Sequence, residues 1–124
     1  MRIATTGATG FIGQRFLAAS FAADHKVTAI VRDGSTLAHH ENLDVVSGDL
    51  SSDAALGAIA EDADVFVHLA GVTHPRKDDD YTRINVEAAE RAAKIAQSRG
   101  AKFIHISSLS AREPNISPLS LIHI

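Results

Sequence analysis

Three glycines near the amino terminus constrain this chain more than any other feature. Gly7, Gly10 and Gly13 lie in the run Thr6–Gly13, which follows the short apolar stretch Arg2–Thr6 and precedes a helical pattern. A glycine permits the tight turn, a second lets backbone approach a ligand without a Cβ, and a third allows close packing of helix on sheet. The N–H groups and the positive dipole end of that helix then face phosphates. The run predicts a dinucleotide-binding turn between a strand and a helix.

The remainder of the chain alternates strand patterns with helix patterns. Short apolar or β-branched runs predict five strands: Arg2–Thr6, Lys26–Val31, Leu43–Ser47, Asp64–Ala70 and Lys102–Ile106. Helical spacing or a capping serine predicts the intervening elements: Phe11–Phe21, a short helix or turn over Ser35–His40, a helix from Ser51 or Ser52 to about Ala60, and Tyr81–Arg99 ended by Gly100. Such alternation requires right-handed crossovers and a parallel sheet covered on both faces. We expect an α/β, Rossmann-type doubly wound sheet of strand order 3-2-1-4-5.

Composition excludes several classes of function. The apolar share of 45% fits a folded globular domain, and the formal charge of −3 comes from basic residues scattered among acids. No basic stripe suited to a nucleic acid is present. The absence of cysteine excludes disulfides and thiolate metal sites, and the seven histidines form no helical His-x-x-x-His pair, so we expect no metal site. No apolar run approaches membrane-spanning length, and we expect a cytoplasmic protein.

From Met1 to about Pro118 the chain resembles the extended short-chain dehydrogenase/reductase family, the NAD(P)-dependent epimerase/dehydratase group. Five motifs at the expected strand ends carry the resemblance: Thr6–Gly13, Gly48-Asp49-Leu50, His68-Leu69-Ala70-Gly71, Asn85-Val86 and Ser107-Ser108. The resemblance implies that residues 1–118 form an NAD(P)-binding Rossmann domain, incomplete because it stops after the fifth strand.

The resemblance also implies which residues contact the cofactor. In the first turn these are Gly7, Thr9, Gly10, Phe11, Ile12 and Gly13. The family's aspartate after the third strand hydrogen-bonds the adenine amino group, which assigns that role to Asp49 with Leu50 beside the ring. The alternative for Asp49 is a helix-capping residue. Leu69, Ala70 and Gly71 match the family's cofactor-lining turn.

Two further residues match positions near the family's reaction centre. Asn85 corresponds to the asparagine that begins the long fourth helix and holds the active-site backbone. Ser108 aligns with the active-site serine or threonine that hydrogen-bonds the substrate oxygen, and the alternative is an ordinary strand-end serine. The family's Tyr-x-x-x-Lys pair does not follow Pro118 in this sequence, and Tyr81 begins an earlier helix. We expect the chain as written to have weak activity or none.

The end of the second strand bears on the choice between NAD and NADP. NAD-dependent enzymes usually place an acid there, which pairs with the ribose 2′-OH. In the family pattern Val31 holds that position and Arg32 follows it. An apolar side chain cannot bind a diol, whereas a guanidinium can clamp a 2′-phosphate. We expect NADP to be preferred over NAD, with two alternatives open: Asp33 contacts the ribose, or Arg32 is an exposed surface charge.

The last six residues, Leu119–Ile124, differ from what the resemblance leads us to expect. Leu-Ser-Leu-Ile-His-Ile is encoded by CTGTCTCTTATACACATC, the transposon end used in some sequencing-library preparations. We expect residues 119–124 to be a non-native tail. The alternative is a genuine short apolar tail.

The function implied by the resemblance is that of an NAD(P)-dependent epimerase, dehydratase or reductase acting on a nucleotide-sugar or a related carbonyl or alcohol substrate. A non-catalytic NADP-binding sensor or accessory subunit is the alternative, because Val31-Arg32 suits it equally. The implied partners are the dinucleotide, a small-molecule substrate and a second copy in a full-length homodimer. Neither a nucleic acid nor a membrane is expected.

Overall fold

The computed structural model describes residues 1–33, 35–71 and 81–108. Its elements, in chain order, are β1 (Arg2–Thr6), α1 (Phe11–Ala22), β2 (Lys26–Val31), β3 (Leu43–Ser47), α2 (Asp53–Ala60), β4 (Val65–His68), a π-helical segment (Tyr81–Glu87), α3 (Ala88–Ser98) and β5 (Lys102–His105). The charged stretch 74–80, the segment 116–118 and the expected non-native tail 119–124 lie outside the described residues.

The five strands form one parallel sheet in the order β3-β2-β1-β4-β5, which confirms the predicted topology. The register pairs Thr6 of β1 with His68 of β4, and His68 with His105 of β5. It also pairs Val31 of β2 with Ser47 of β3. Because all strands run the same way, the turns that follow them meet at one edge of the sheet.

Helices cover both faces of this sheet, and each face has its own core. On one face, Leu17 of α1 packs with buried strand residues of β1, β2 and β4, namely Ile3, Val27, Ala29 and Val67. On the other face, α2 and α3 contribute Leu56, Ile59, Ala92 and Ala96, which surround Phe66. The alanines of α3 let this helix lie close to the sheet, since burial of small side chains leaves little distance between backbones.

The short helix or turn predicted over Ser35–His40 is not formed, and residues 35–40 take an irregular path. The segment has one sizeable apolar residue, Leu37, which packs at the edge of the α1-side core. A helix needs a repeating apolar face to offset the entropy of ordering it. The imidazole of His40 instead stacks on the ring of Phe21 with the centroids 3.9 Å apart, and its Nδ1 accepts from the Asn42 backbone N–H.

The long helix predicted over Tyr81–Arg99 begins with a π-helical segment of seven residues and becomes α-helical at Ala88. It ends at Ser98, after which Gly100 adopts a φ of +73°. The backbone N–H of Gly100 donates to Gln97 and that of Ala101 donates to Ala96, which satisfies carbonyls at the helix end. The prediction that Gly100 provides the helix stop is confirmed.

Candidate functional site

A cleft of about 400 Å³ lies where the turns after the strands meet. Its walls come from the turn after β1, the end of β2, the residues after β3 and β4, and one side of the π-helical segment and α3. Nine of the residues singled out from the sequence line it: Gly7, Thr9, Gly10, Arg32, Asp49, Leu50, Leu69, Ala70 and Gly71. Four separate sequence motifs thus meet in a single cavity.

The glycine turn forms the floor of the cleft at the start of α1. Gly7 adopts a φ of +73°, a conformation that favours glycine, and its carbonyl accepts from the Gly10 N–H at 3.2 Å. Gly10 is the N-cap residue of α1 and has no side chain to occupy the helix end. The side chain of Gln14 donates to the Thr9 carbonyl at 2.9 Å and holds the turn from the outside. The first amides of α1 therefore remain available to an anion.

Gly13 serves the turn in a different way from Gly10. A Cβ at Gly13 would collide with the carbonyl oxygen of Gly7 and the backbone of Ala8, so the helix packs directly on its own preceding turn. A Cβ at Gly10 would meet only the Gly7 oxygen, at 3.4 Å. Packing within the protein explains why position 13 is a glycine. At position 10 there is no such clash, so the glycine is explained by the cleft that it lines.

Asp49 lies after β3 with one oxygen already engaged. Its Oδ1 accepts from the Ser51 N–H at 2.8 Å and from the Ser51 hydroxyl. These two hydrogen bonds, the hydroxyl first, hold the pKa of the Asp49 carboxyl below its usual value, and the guanidinium groups of Arg83 and Arg32 lower it further. The N-cap of α2 is Ser52, whose hydroxyl accepts from the Ala55 N–H at 3.1 Å. Asp49 is therefore not the capping residue, and its carboxylate borders the cleft in the charged form.

The end of β2 places Arg32 beside this carboxylate. Val31 is buried, whereas Arg32 is exposed and lines the cleft. The Gly48 N–H donates to the Val31 carbonyl at 3.0 Å, which ties the turn after β3 to the end of β2. Asp33 is exposed and is not among the cleft-lining residues of the described part of the chain.

One wall of the cleft is charged and was not predicted from the sequence. Arg83, Glu87 and Arg91 line it at intervals of four residues along the π-helical segment and α3. Arg91 is fixed by an ion pair with Asp53 of α2, with the guanidinium nitrogen 2.9 Å from the carboxylate oxygen. The only sequence signal for this wall was the spacing of four residues between these charged side chains. Charges at this spacing usually mark a solvent-exposed helix face, so they did not indicate a site.

The turn after β4 forms the wall nearest the glycine turn. The Leu69 N–H donates to the Thr6 carbonyl at 3.3 Å, and the Ala70 N–H lies 3.4 Å from the Thr6 hydroxyl. Asn85 is buried, with 2% of its surface exposed, and a Cβ on Gly71 would lie 3.4 Å from its Oδ1. The amide of Asn85 therefore backs the turn from behind without entering the cleft.

Five of the residues singled out from the sequence do not line the cleft: Phe11, Ile12, Gly13, Asn85 and Ser108. The side chains of Phe11 and Ile12 are exposed, with 72% and 59% of their surface accessible, and these two residues form the first turn of α1. Ser108 follows the end of β5, and the backbone just before it is held by a hydrogen bond from the Ile106 N–H to the His68 carbonyl at 3.1 Å.

The described residues contain neither a metal site nor a membrane-spanning helix. Within residues 1–33, 35–71 and 81–108, no group of three His, Asp or Glu side chains is placed to hold a metal ion. In the same residues, every helix is too short or too polar to cross a lipid bilayer.

Comparison with known proteins places the chain in a family. A family model described as the NAD dependent epimerase/dehydratase family matches residues 3–118. A ceramide reductase from Caulobacter vibrioides is 38% identical over 117 residues, which cover 93% of this chain and 37% of that protein.

Solved structures give the same picture for the fold. The structure of MoeE5 in complex with UDP-glucuronic acid and NAD is 26% identical, with a TM-score of 0.76 over 87% of this chain and 37% of that one. A glucuronic acid dehydrogenase from Chromohalobacter salexigens is 25% identical, with a TM-score of 0.75 over 87% of this chain and 41% of that one. The chain thus spans about two fifths of the length of these proteins.

Proposed function

Because the chain belongs to the NAD-dependent epimerase/dehydratase family, we propose that its cleft binds a nicotinamide dinucleotide. The observation that carries the proposal is the convergence of the glycine turn, Arg32, Asp49 and the turn 69–71 on one cavity of about 400 Å³. A cavity of this size falls in the range of about 300–1,000 Å³ that small-molecule sites occupy. MoeE5, which shares the fold, is seen with NAD bound.

The residues present suit a dinucleotide. The backbone amides of Phe11 and Ile12 bind the diphosphate, since Gly10 leaves the helix end open and the helix dipole favours an anion there. The unengaged oxygen of Asp49 accepts from the adenine amino group while Ser51 fixes the other oxygen. Leu50 lies against the adenine ring. Gly71 and its neighbours pass close to the ribose, with the amide of Asn85 supporting them.

We further propose that NADP is preferred. Arg32 is exposed at the cleft and Val31, which occupies the position of an NAD-type acid, is buried and apolar. A guanidinium makes bidentate, charge-assisted hydrogen bonds to a phosphate, and these are stronger than neutral ones. The adjacent Asp49 is held by Ser51, which leaves Arg32 able to turn towards a 2′-phosphate.

For the whole protein we propose an NAD(P)-dependent epimerase, dehydratase or reductase acting on a nucleotide-sugar or a related carbonyl or alcohol substrate. The dinucleotide supplies or accepts the hydride when bound. Ser108, which follows β5 at the same edge of the sheet, is proposed to hydrogen-bond the substrate oxygen. MoeE5 binds UDP-glucuronic acid and the relative from Caulobacter is a ceramide reductase, so both substrate types remain within the proposal.

The alternative proposal is a non-catalytic NADP-binding sensor or accessory subunit. The native gene sequence beyond codon 118 distinguishes it from the enzyme. A Tyr-x-x-x-Lys pair shortly downstream supports the enzyme, because the tyrosine supplies the acid/base group of the family's reaction. Its absence from the native gene would support the sensor. The 124-residue chain itself is proposed to show little or no turnover.

The experiment that tests cofactor binding is a calorimetric titration of NADP and NAD into the wild type, Arg32→Ala and Lys102→Ala. Lys102 is an exposed cation at the opposite edge of the sheet and serves as the matched control. We expect Arg32→Ala to weaken NADP binding roughly tenfold or more, with NAD binding and the Lys102→Ala variant unchanged. Equal affinities for both dinucleotides in wild type and Arg32→Ala would overturn the NADP preference.

A further inference from the structure

A buried hydrogen bond joins the two strands on either side of the cleft. Thr6 and His68 are both fully buried at the ends of β1 and β4, and the Thr6 Oγ1 lies 2.7 Å from the His68 Nδ1. The two residues are direct partners in the parallel register. Each is the last residue of its strand and is followed at once by a cleft-lining turn. The hydrogen bond therefore connects the two strand ends from which two walls of the proposed cofactor site begin.

The same hydroxyl is the partner of a backbone amide in the second wall. The Ala70 N–H donates to Thr6 Oγ1 at 3.4 Å, a distance at the long end for such a bond. The Thr6 hydroxyl has one proton and two acceptor lone pairs, so it can accept from the Ala70 N–H and at the same time donate to Nδ1 of His68, 2.7 Å away. In the tautomer of His68 that carries its proton on Nε2, the direction of donation runs from Ala70 to Thr6 to His68.

We propose that neutral His68 is a positioning residue that sets the cofactor-lining turn 69–71 through the hydroxyl of Thr6. The proposal rests on the proposed function, because it concerns the wall of the same dinucleotide cleft. His68 does not line the cleft, so it acts through Thr6 and Ala70 and makes no contact with the cofactor.

The two walls are in contact, and a shift of one is transmitted to the other. A Cβ at Gly7 would lie 2.6 Å from the Ala70 nitrogen and 2.7 Å from the Leu69 carbonyl carbon, so the glycine turn touches the second turn directly. The Thr6 carbonyl also accepts from the Leu69 N–H. Loss of the acceptor at His68 leaves the Thr6 hydroxyl free to rotate, and the Ala70 amide loses its fixed partner.

The surroundings of His68 favour the neutral form. From β5, the rings of Phe103 and His105 stack beside it with centroids 6.3 and 5.5 Å away. From β1 it meets Thr6, and the α3 residues in the core on this face are Ala92 and Ala96. His105 is therefore the one titratable group facing it among the described residues, and no carboxylate there supports a positive charge. Burial first, and the charge of His105 second, lower the pKa of His68 to about 4.

The test compares variants that keep or remove the two hydrogen-bonding atoms. His68→Phe removes the acceptor and keeps a ring, whereas His68→Asn keeps an acceptor close to the position of Nδ1. Thr6→Val removes the hydroxyl, and Thr6→Ser keeps it. His105→Phe is the control, because it changes the neighbouring stacked ring without touching the Thr6 hydrogen bond. Affinity for NADP is measured by calorimetry, and exchange of the Ala70 amide hydrogen by NMR without any dinucleotide.

We expect His68→Phe and Thr6→Val to weaken NADP binding about tenfold each, and the double variant to be no weaker than either one. His68→Asn, Thr6→Ser and His105→Phe should bind as the wild type does. The Ala70 amide should exchange about tenfold faster in the first two variants only. The affinity of the wild type for NADP should also fall as the pH approaches 4, because His68 becomes protonated there. His68→Phe should show no such fall.

The outcomes separate the two proposals. If the wild type binds no dinucleotide, the proposed function fails, while the exchange of the Ala70 amide still tests the role of His68. If the wild type binds and the Ala70 amide and the affinity are unaffected in His68→Phe and Thr6→Val, the positioning role is wrong and the proposed function stands. Should one of the pair fail to fold, the other with its conservative partner decides the question.

Discussion

Gly13 packs so closely on the carbonyl oxygen of Gly7 that a side chain at position 13 would occupy the same space. The contact joins the first turn of α1 to the turn that follows β1. It fixes the direction in which the helix amides point, and therefore the site proposed for the diphosphate.

Gly13→Ala is expected to destabilise the protein even though alanine is the better helix former. The helix preference favours alanine by about 1 kcal/mol. The clash with backbone atoms of Gly7 and Ala8 costs about 3 kcal/mol, the upper end for an overpacked site, since neither can move without breaking the turn. Urea unfolding of Gly13→Ala and Gly10→Ala measures the difference.

Gly10→Ala is the matched variant for this test. Gly10 has a φ of −74° and a ψ of 173°, which alanine adopts without strain, so its loss of stability should stay below about 1 kcal/mol. It should nevertheless weaken dinucleotide binding, because its Cβ enters the approach to the helix amides. An unchanged stability for Gly13→Ala would show that the packing described here is wrong.

The stability of the protein should fall as the pH drops from about 6.5 towards 4. Since folding lowers the pKa of His68 from 6.5 to about 4, the unfolded state binds its proton first, and this part of the stability is complete only above pH 6.5. The loss attributable to His68 is on the order of 3 kcal/mol, because each tenfold change in proton affinity corresponds to about 1.4 kcal/mol. Unfolding free energies of the wild type and His68→Phe across this range test it, and parallel curves for the two proteins would rule out the buried neutral imidazole.

Asp49 is expected to recognise the adenine ring, which NAD and NADP share. Asp49→Ala should weaken both dinucleotides about tenfold to a hundredfold, because a hydrogen bond to a charged acceptor is lost. Nicotinamide mononucleotide, which lacks adenine, should bind as before. Asp44→Ala is the control, since Asp44 is an exposed carboxylate on β3 outside the cleft. A selective loss of NADP alone in Asp49→Ala would indicate that Asp49 acts only on Arg32.

The sheet could be predicted because its signals are local. A glycine turn between a strand and a helix, followed by alternating apolar runs, leaves few topologies other than the observed order. The capping of α2 was predicted as a choice between Ser51 and Ser52, and only the backbone path decided it for Ser52. Residues 35–40 were misjudged, because a turn pattern and a single leucine do not determine whether a helix can bury a face.

The parts of the site that were not predicted involve residues that are far apart in the sequence. Thr6 and His68 are separated by 62 positions, and their hydrogen bond follows from a strand register that no local pattern specifies. Arg83 and Arg91 line the cleft from the π-helical segment and from α3, and apolar periodicity does not distinguish a π-helix from an α-helix.

The most direct test of the central claim is NMR observation of the backbone amides during titration with NADP. We expect the amide signals of Thr9, Gly10, Phe11 and Ile12 to shift together and to saturate at the affinity measured by calorimetry, because these amides surround the open start of α1. Unshifted signals for these four residues at saturating NADP would contradict the account, whatever changes occur elsewhere in the protein.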